Sequence, residues 1–196
     1  MTVDFHLQHA RAVVLVEGES DLRAVRALAA RTGRDLAAEA VAVVAMGGAT
    51  NIGAHLQRLC GPGPTISATA DVVRITGLVD EAQAPVFARA ARRVGLGDDL
   101  AGAGFFVCRT DLEDELIRAL GEDRTRAVLD AEGDLNAYRL FVRQPAQRER
   151  PEHARLHRFL GTQSGRKIRY GAVLVEALDL ARVPEPLQRL LARLPG

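Results

Sequence analysis

Four short apolar runs organise the first half of the chain: AVVLV (12–16), VAVVA (41–45), VVRITGLV (72–79) and GFFVC (104–108). Continuous apolar runs of this length fit strands buried on both faces. Between them lie ESDLRAVRALAARTG, TNIGAHLQRLCG and QAPVFARAARRVG, each with apolar residues at three- and four-residue spacing and a glycine at or near its end,. The order β-α-β-α-β-α-β predicts an α/β fold, a mostly parallel four-stranded sheet with helices on both faces. Ligands are then expected at the C-terminal ends of the strands.

Beyond Cys108 the strand pattern stops, and DLEDELIRALGE, RTRAVLDAEG, PEHARLHRFLGT and KIRYGAVLVEALDLARV read as helical. The chain therefore divides into an α/β domain over 1–120 and a helical extension over 121–196 packed on it. The Gly-, Pro-, Ser- and Thr-rich stretch CGPGPTISATAD (60–71) reads as a mobile surface loop before the third strand,. With 47% apolar residues in 196, a continuous core is within reach,. No apolar run is long enough to span a bilayer, and MTVDFHLQHARAV lacks a signal peptide's basic and apolar regions, so a cytoplasmic location is expected,. Cys60 and Cys108 have no CxxC or Cys/His companion; they read as reduced thiols, with neither a zinc site nor a disulfide indicated,.

In VLVEGESD (14–21) a strand runs straight into acid. Glu17 follows the first strand, Asp80 and Glu81 follow the third, and Asp111, Glu113, Asp114 and Glu115 follow the fourth. In a parallel sheet these exits share one edge, so carboxylates distant in sequence converge. Hard oxygen ligands without cysteine or paired histidine specify Mg²⁺ or Mn²⁺, one ion or two. Asp21, four residues after Glu17, stands close enough to share a centre with it. Glu19 and Ser20 read instead as residues that satisfy helix N–H groups.

The stretches VLVEGESD, VVAMGGATNI, ITGLVD and FFVCRTDLEDELI, in that order over roughly residues 11 to 120, resemble a Toprim domain. In detail they are most similar to the Toprim nuclease half of the OLD (overcoming lysogenization defect) family of ATP-dependent endonucleases. The resemblance implies a Rossmann-like Toprim fold and divalent-metal cleavage of DNA phosphodiesters. It carries Glu17, Asp21, Asp80 and Glu113 over as metal ligands, with Glu17 and Asp80 catalytic. Two departures stand out. Where the family shows aspartate-x-aspartate after the third strand, this chain reads Asp80, Glu81, Ala82, which puts one metal site in question. No GxxxxGK[ST] occurs, so the ATPase that the resemblance implies is missing from this sequence, and a separate ATPase chain is one candidate partner,.

Gly47 and Gly48 end the second strand, with Thr50 or Asn51 expected to cap the next helix; the turn offers backbone N–H groups to a phosphate, or is a plain strand-to-helix turn. From 136 to 170 the chain carries nine basic residues and two acidic ones, among them Arg143, Arg150, Arg158 and Arg166. The excess suits DNA or forms an ordinary solvated face. Among 26 basic residues Lys167 is the sole lysine. A compact ammonium can sit at a phosphate or a developing oxyanion, so Lys167 is expected to be catalytic; the other reading is compositional drift. His153 and His157, at i and i+4, are read as surface or DNA-facing. The functional expectation is a metal-dependent DNA endonuclease or nickase, and the alternative is a non-catalytic Toprim module that binds nucleic acid or a separate ATPase subunit. Nucleotidyl transfer would use the same ligands.

Overall fold

A computed structural model describes residues 10–60 and 73–195. Four parallel strands, β1 (Ala12–Val16), β2 (Val41–Ala45), β3 (Arg74–Asp80) and β4 (Phe105–Cys108), form one sheet in the order β2-β1-β3-β4. The chain steps outward from β1 to β2, crosses back to β3, and continues to β4. Because parallel crossovers are right-handed, that reversal sends α1 (Glu19–Arg31) to one face and α2 (Ile52–Cys60) and α3 (Ala84–Arg93) to the other,. Two core clusters match this division. One joins Val14 and Val16 to α1, and the other joins Val13 and Leu15 to α2 and α3. All five residues of β1 are fully buried, as a run of branched apolar side chains without alternation requires,.

β3 approaches β1 closely at Gly77, where a Cβ would lie 2.3 Å from the Leu15 carbonyl oxygen and 3.1 Å from the Phe105 ring. Phe105 in turn meets Phe87 edge-on, with ring centroids 5.5 Å apart,. Glycine in a central strand is thus a packing requirement here.

The second half is helical: α4 (Leu112–Leu120), α5 (Glu122–Ala131), α6 (Leu135–Val142), α7 (Glu152–Leu160), α8 (Ser164–Ala177) and α9 (Glu185–Arg193). Their buried residues join the same cluster as α1 and the α1 face of the sheet, so α8 and α9 help to cover that face. Arg31 fastens the far end of α1 to α8, donating to the carbonyls of Val175 (2.7 Å) and Leu178 (2.8 Å).

The apolar runs 12–16 and 41–45 become strands over those same residues, while the third strand begins at Arg74. The stretch read as one helix through Val183 stops at Ala177. There Leu178 turns extended and Asp179 caps a short 3₁₀ turn, accepting from the Ala181 N–H at 3.0 Å. Helices α6 and α9 were not legible as separate elements. The loop expected over 60–71 lies almost wholly outside the described residues. No helix among the described residues is long and apolar enough to cross a membrane.

Candidate active site

β1, β3 and β4 end side by side, and each exit contributes acid. The crossover reversal falls between β1 and β3, and the C-terminal ends of strands at such a switch point are where parallel α/β sheets place their ligands,. Glu17 emerges from β1 half-buried, and its Oε1 is shut off from solvent with no hydrogen-bond partner. Asp21 lies in the first turn of α1, where its Oδ2 accepts the Gly18 N–H at 3.0 Å. Asp80 is the last residue of β3.

Burial, the largest cause, raises the pKa of all three. Glu17 stays raised although the Asp80 backbone N–H and Lys167 pull it down, with Asp111 and Glu113 adding to the rise; Asp21 reaches about 7 with Glu113 adding, and Asp80 reaches about 8 with Glu17 and Asp21 adding,. Each of these groups makes its neighbours harder to ionise, so together they form one electrostatic neighbourhood. Among the described residues no three His, Cys, Asp or Glu side chains close tightly round one point as they stand. The donor set is nevertheless all hard oxygen. An orphaned buried Glu17 oxygen and raised carboxyls are what a divalent cation would satisfy.

The exit of β4 is shaped by a strained backbone. Thr110 holds φ at +65°, and its N–H donates to Glu81 Oε2 at 3.1 Å,. Glu81 therefore ties the β3 exit to the β4 exit. The loop turns the chain so that Asp111 caps α4, its Oδ1 accepting the Asp114 N–H at 2.8 Å,. Its Oδ2 pairs with His157 Nε2 at 2.7 Å. Burial works to raise the Asp111 carboxyl, but His157 and the Asp114 N–H prevail and hold it below the usual range. The Asp111 hydrogen bond lifts His157 in return, against burial. His153 pairs likewise with Asp114, Nε2 to Oδ1 at 2.5 Å. The two histidines are thus half-buried partners of the α4 acids, and His157 also lines the cleft on this side of the molecule. Their i, i+4 spacing is used to dock α7 on the head of α4.

Glu113 is 3% exposed. Its Oε1 accepts the Ser20 hydroxyl at 2.7 Å, and its Oε2 lies 3.2 Å from Lys167 Nζ, at ion-pair distance. Burial would lower Lys167, but Glu113 and then Asp21 and Asp111 outweigh it and keep the ammonium charged. Ser20 is therefore a buried donor to Glu113, and the residue at the head of α1 is Gly18; Glu19 points out to Arg23, 3.5 Å away. A cleft of about 420 Å³ lies beside this cluster, lined by Asp111, Glu113, His157, Arg158 and Lys167.

Gly47 and Gly48 both take positive φ, +72° and +124°, and the Gly48 N–H donates to the Glu17 carbonyl at 3.0 Å. That bond joins the β2 exit to the β1 exit. Asn51 does not cap α2 as expected; its amide donates to the Met46 carbonyl at 2.8 Å. Arg143, Arg150 and Arg158 are exposed, whereas the Arg166 guanidinium lies 4.1 Å from the Phe159 ring centroid and 3.5 Å from Asp134, turned into the protein. The sequence underplays Asp111 and His157. Asp111 is visible there as an acid after the fourth strand, but nothing in the spacing joins it to a histidine 46 residues away.

Residues 9–61 match the family model described as "Overcoming lysogenization defect protein-like, TOPRIM domain". The structure resembles the C-terminal region of the Burkholderia pseudomallei OLD protein, with a TM-score of 0.65, 20% identity, and 94% of this chain and 96% of that chain covered. It also resembles the C-terminal region of the Xanthomonas campestris pv. campestris OLD protein in the structures phased with mercury and with platinum. These have TM-scores of 0.65 and 0.67 at 23% and 22% identity; each covers 94% of this chain, with 94% and 92% of the other chain covered. No curated protein sequence matches the chain. The structural likeness establishes the fold.

Proposed function

The chain carries an OLD-like Toprim segment in the fold of OLD C-terminal regions, and on that premise we propose that it is a metal-dependent phosphodiester hydrolase acting on DNA, an endonuclease or nickase. The observation that carries the reading is the Glu17–Asp21–Asp80 neighbourhood at the strand exits, with its orphaned Glu17 oxygen and raised carboxyls. Glu17, Asp21, Asp80 and Glu113 would hold one or two Mg²⁺ or Mn²⁺ ions. A bound metal would supply Lewis-acid stabilisation and water activation there. Glu17 and Asp80, the acids on adjacent central strands, orient that chemistry. Lys167, kept charged by Glu113, faces the cleft and offsets charge that develops on the phosphate oxygens,. Arg158 at the cleft, the exposed Arg143 and Arg150, and the Gly47 end of the turn at the same sheet edge are the DNA contacts proposed, the Gly48 N–H being committed to the Glu17 carbonyl,. Arg166 has its guanidinium committed to Phe159 and Asp134 and contributes by holding α7 to α8.

Supercoiled plasmid with Mg²⁺ or Mn²⁺ is the decisive assay. Wild-type protein is expected to nick or linearise it, and a Glu17→Ala protein is expected to leave it closed. Cleavage persisting undiminished in Glu17→Ala sinks the reading. Reversing Arg143, Arg150 and Arg158 together should weaken DNA binding and flatten its salt dependence, by about one unit of slope for each phosphate that is no longer neutralised.

One feature favours a second reading, a non-catalytic module that binds nucleic acid or a separate ATPase chain. Ala82 brings no carboxylate, and Glu81 is occupied with the Thr110 N–H. Wild-type protein that binds DNA and Mn²⁺ but leaves the plasmid intact, alone and with an ATPase partner, would decide for it.

A further inference from the structure

Gly171 stands one turn after Lys167 on α8, on the face turned to α1. A Cβ there would lie 2.3 Å from the Ser20 carbonyl oxygen, 2.9 Å from its carbonyl carbon and 2.8 Å from its Oγ. Two of those atoms are backbone at the head of α1, and they cannot swing aside as the tip of a side chain can. Any residue with a side chain at 171 must therefore separate the two helices. A glycine within a helix loses more backbone entropy on folding than alanine would, so its presence here calls for a packing reason. That reason is the approach of α8 to the site.

Ser20 sits at the meeting point. It is 4% exposed. Its hydroxyl donates to Glu113 Oε1 at 2.7 Å and lies 3.1 Å from the Lys167 carbonyl oxygen, so a single side chain touches α4 and α8 from α1. Side chains one helical turn apart share a face. The approach that glycine permits at 171 thus also sets where Lys167 stands, with Nζ 3.2 Å from Glu113 Oε2.

We infer that Ser20 and Gly171 are positioning residues: Gly171 lets α8 close on the head of α1, and the Ser20 hydroxyl fixes Glu113, so that the Lys167 ammonium is held at the carboxylate cluster. The functional weight of this arrangement rests on Lys167 acting in the proposed hydrolysis, while the placement itself is measurable without any activity. Restoring ordinary van der Waals distance at a Cβ on residue 171 requires a shift of roughly 1 Å, and a misplacement of that size can cost about a hundredfold in rate.

The chain contains one lysine, so ¹³C-lysine labelling gives a single side-chain spin system. In the wild-type protein the two ε-methylene protons should be inequivalent, as for an ammonium held in one geometry. In Gly171→Ala they should merge toward the free-lysine position, as they should in Glu113→Gln, and Ser20→Ala should move them in the same direction. A Gly171→Ala protein with wild-type circular dichroism and melting temperature that keeps the wild-type signal overturns the inference. If Gly171→Ala does not fold, Ser20→Ala decides, and an unchanged lysine signal there overturns it equally. In the plasmid assay Gly171→Ala should lose about as much rate as Lys167→Ala while retaining Mn²⁺ binding. A wild-type protein that never cleaves would sink the proposed function and leave the lysine signal to judge the inference by itself.

Discussion

Glu17 and Asp80 leave adjacent strands whose backbones are locked in register, Leu15 opposite Gly77 and Asp80 opposite Cys108, whereas Lys167 and His157 reach the same edge from helices placed by side-chain packing. The acidic half of the site is a consequence of sheet topology. The basic half depends on particular contacts: Gly171 against Ser20, Ser20 on Glu113, His157 on Asp111. Removing a strand-exit carboxylate should leave the scaffold standing and abolish the chemistry. Disturbing a helix should move a group that is still present, so its effects should be graded.

The largest separation is expected between the two halves themselves. Glu17→Ala should lower metal-dependent cleavage by about a thousandfold, and it should weaken Mn²⁺ binding measured by calorimetry, because it removes a proposed ligand rather than a neighbour. Lys167→Ala should cost on the order of a hundredfold in rate with Mn²⁺ affinity retained, since preorganised charge acts on the barrier. Lys167→Arg should recover only part of that, as the planar fork places its charge differently. Should Lys167→Ala lose Mn²⁺ as fully as Glu17→Ala does, the division into a binding half and a rate half fails.

The same division explains what the sequence makes legible. Apolar runs bounded β1 and β2 to the residue, and once the strands are parallel, acids that follow them must share an edge. Glu17, Asp80 and the acids after β4 were legible for that reason. Lys167 stood out as a solitary lysine, but no pattern showed that Gly171 clears its path or that Ser20, three residues beyond Glu17, turns inward to Glu113 rather than serving the helix end. His153 and His157 showed their helical spacing and hid their partners, because contacts across 39 and 46 residues leave no local periodicity. Ala82 is the gap in the motif, whereas Glu81 beside it ties the β3 exit to the β4 exit through the Thr110 N–H, a contact that the motif does not show. Local chemistry fixes what leaves a strand, and long-range packing decides what a helix brings to meet it.

His157 tests the middle of the range. His157→Gln leaves Asp111 capping α4 through the Asp114 N–H but removes its half-buried ionic partner. Residues that orient the groups around a metal typically contribute about 10- to 100-fold, and because Asp111 lines the cleft and acts on Glu17 and Asp80 through its charge rather than by contact, a loss at the low end, about tenfold in Mn²⁺ affinity or rate, is expected,. The fall should be smaller for His153→Gln, whose partner Asp114 is also held by Arg118 at 3.0 Å. Equal losses for the two variants would place His153 and His157 on the same footing and remove the distinction between Asp111 and Asp114.

The smallest effect is on stability, and its sign is specific. Asp21 and Asp80 hold their protons to about pH 7 and about pH 8 in the folded metal-free protein, while the unfolded chain releases them near 3.8. Between those limits the folded state binds more protons than the unfolded state, so the stability these groups contribute is complete below about pH 4 and is lost as pH rises through about 7 to 8,. Melting in chelator should therefore shift downward by a few degrees between about pH 5.5 and about pH 8.5. Mn²⁺ should reverse the trend, because it binds the ionised carboxylates of the folded state and its stabilisation grows with pH. Asp80→Asn should flatten the chelator profile, having no proton to lose. A wild-type melting temperature that rises with pH in chelator would mean that the strand-exit carboxylates are already satisfied by the protein, and the acidic half of the cleft would then no longer differ from the basic half in needing a cation from outside.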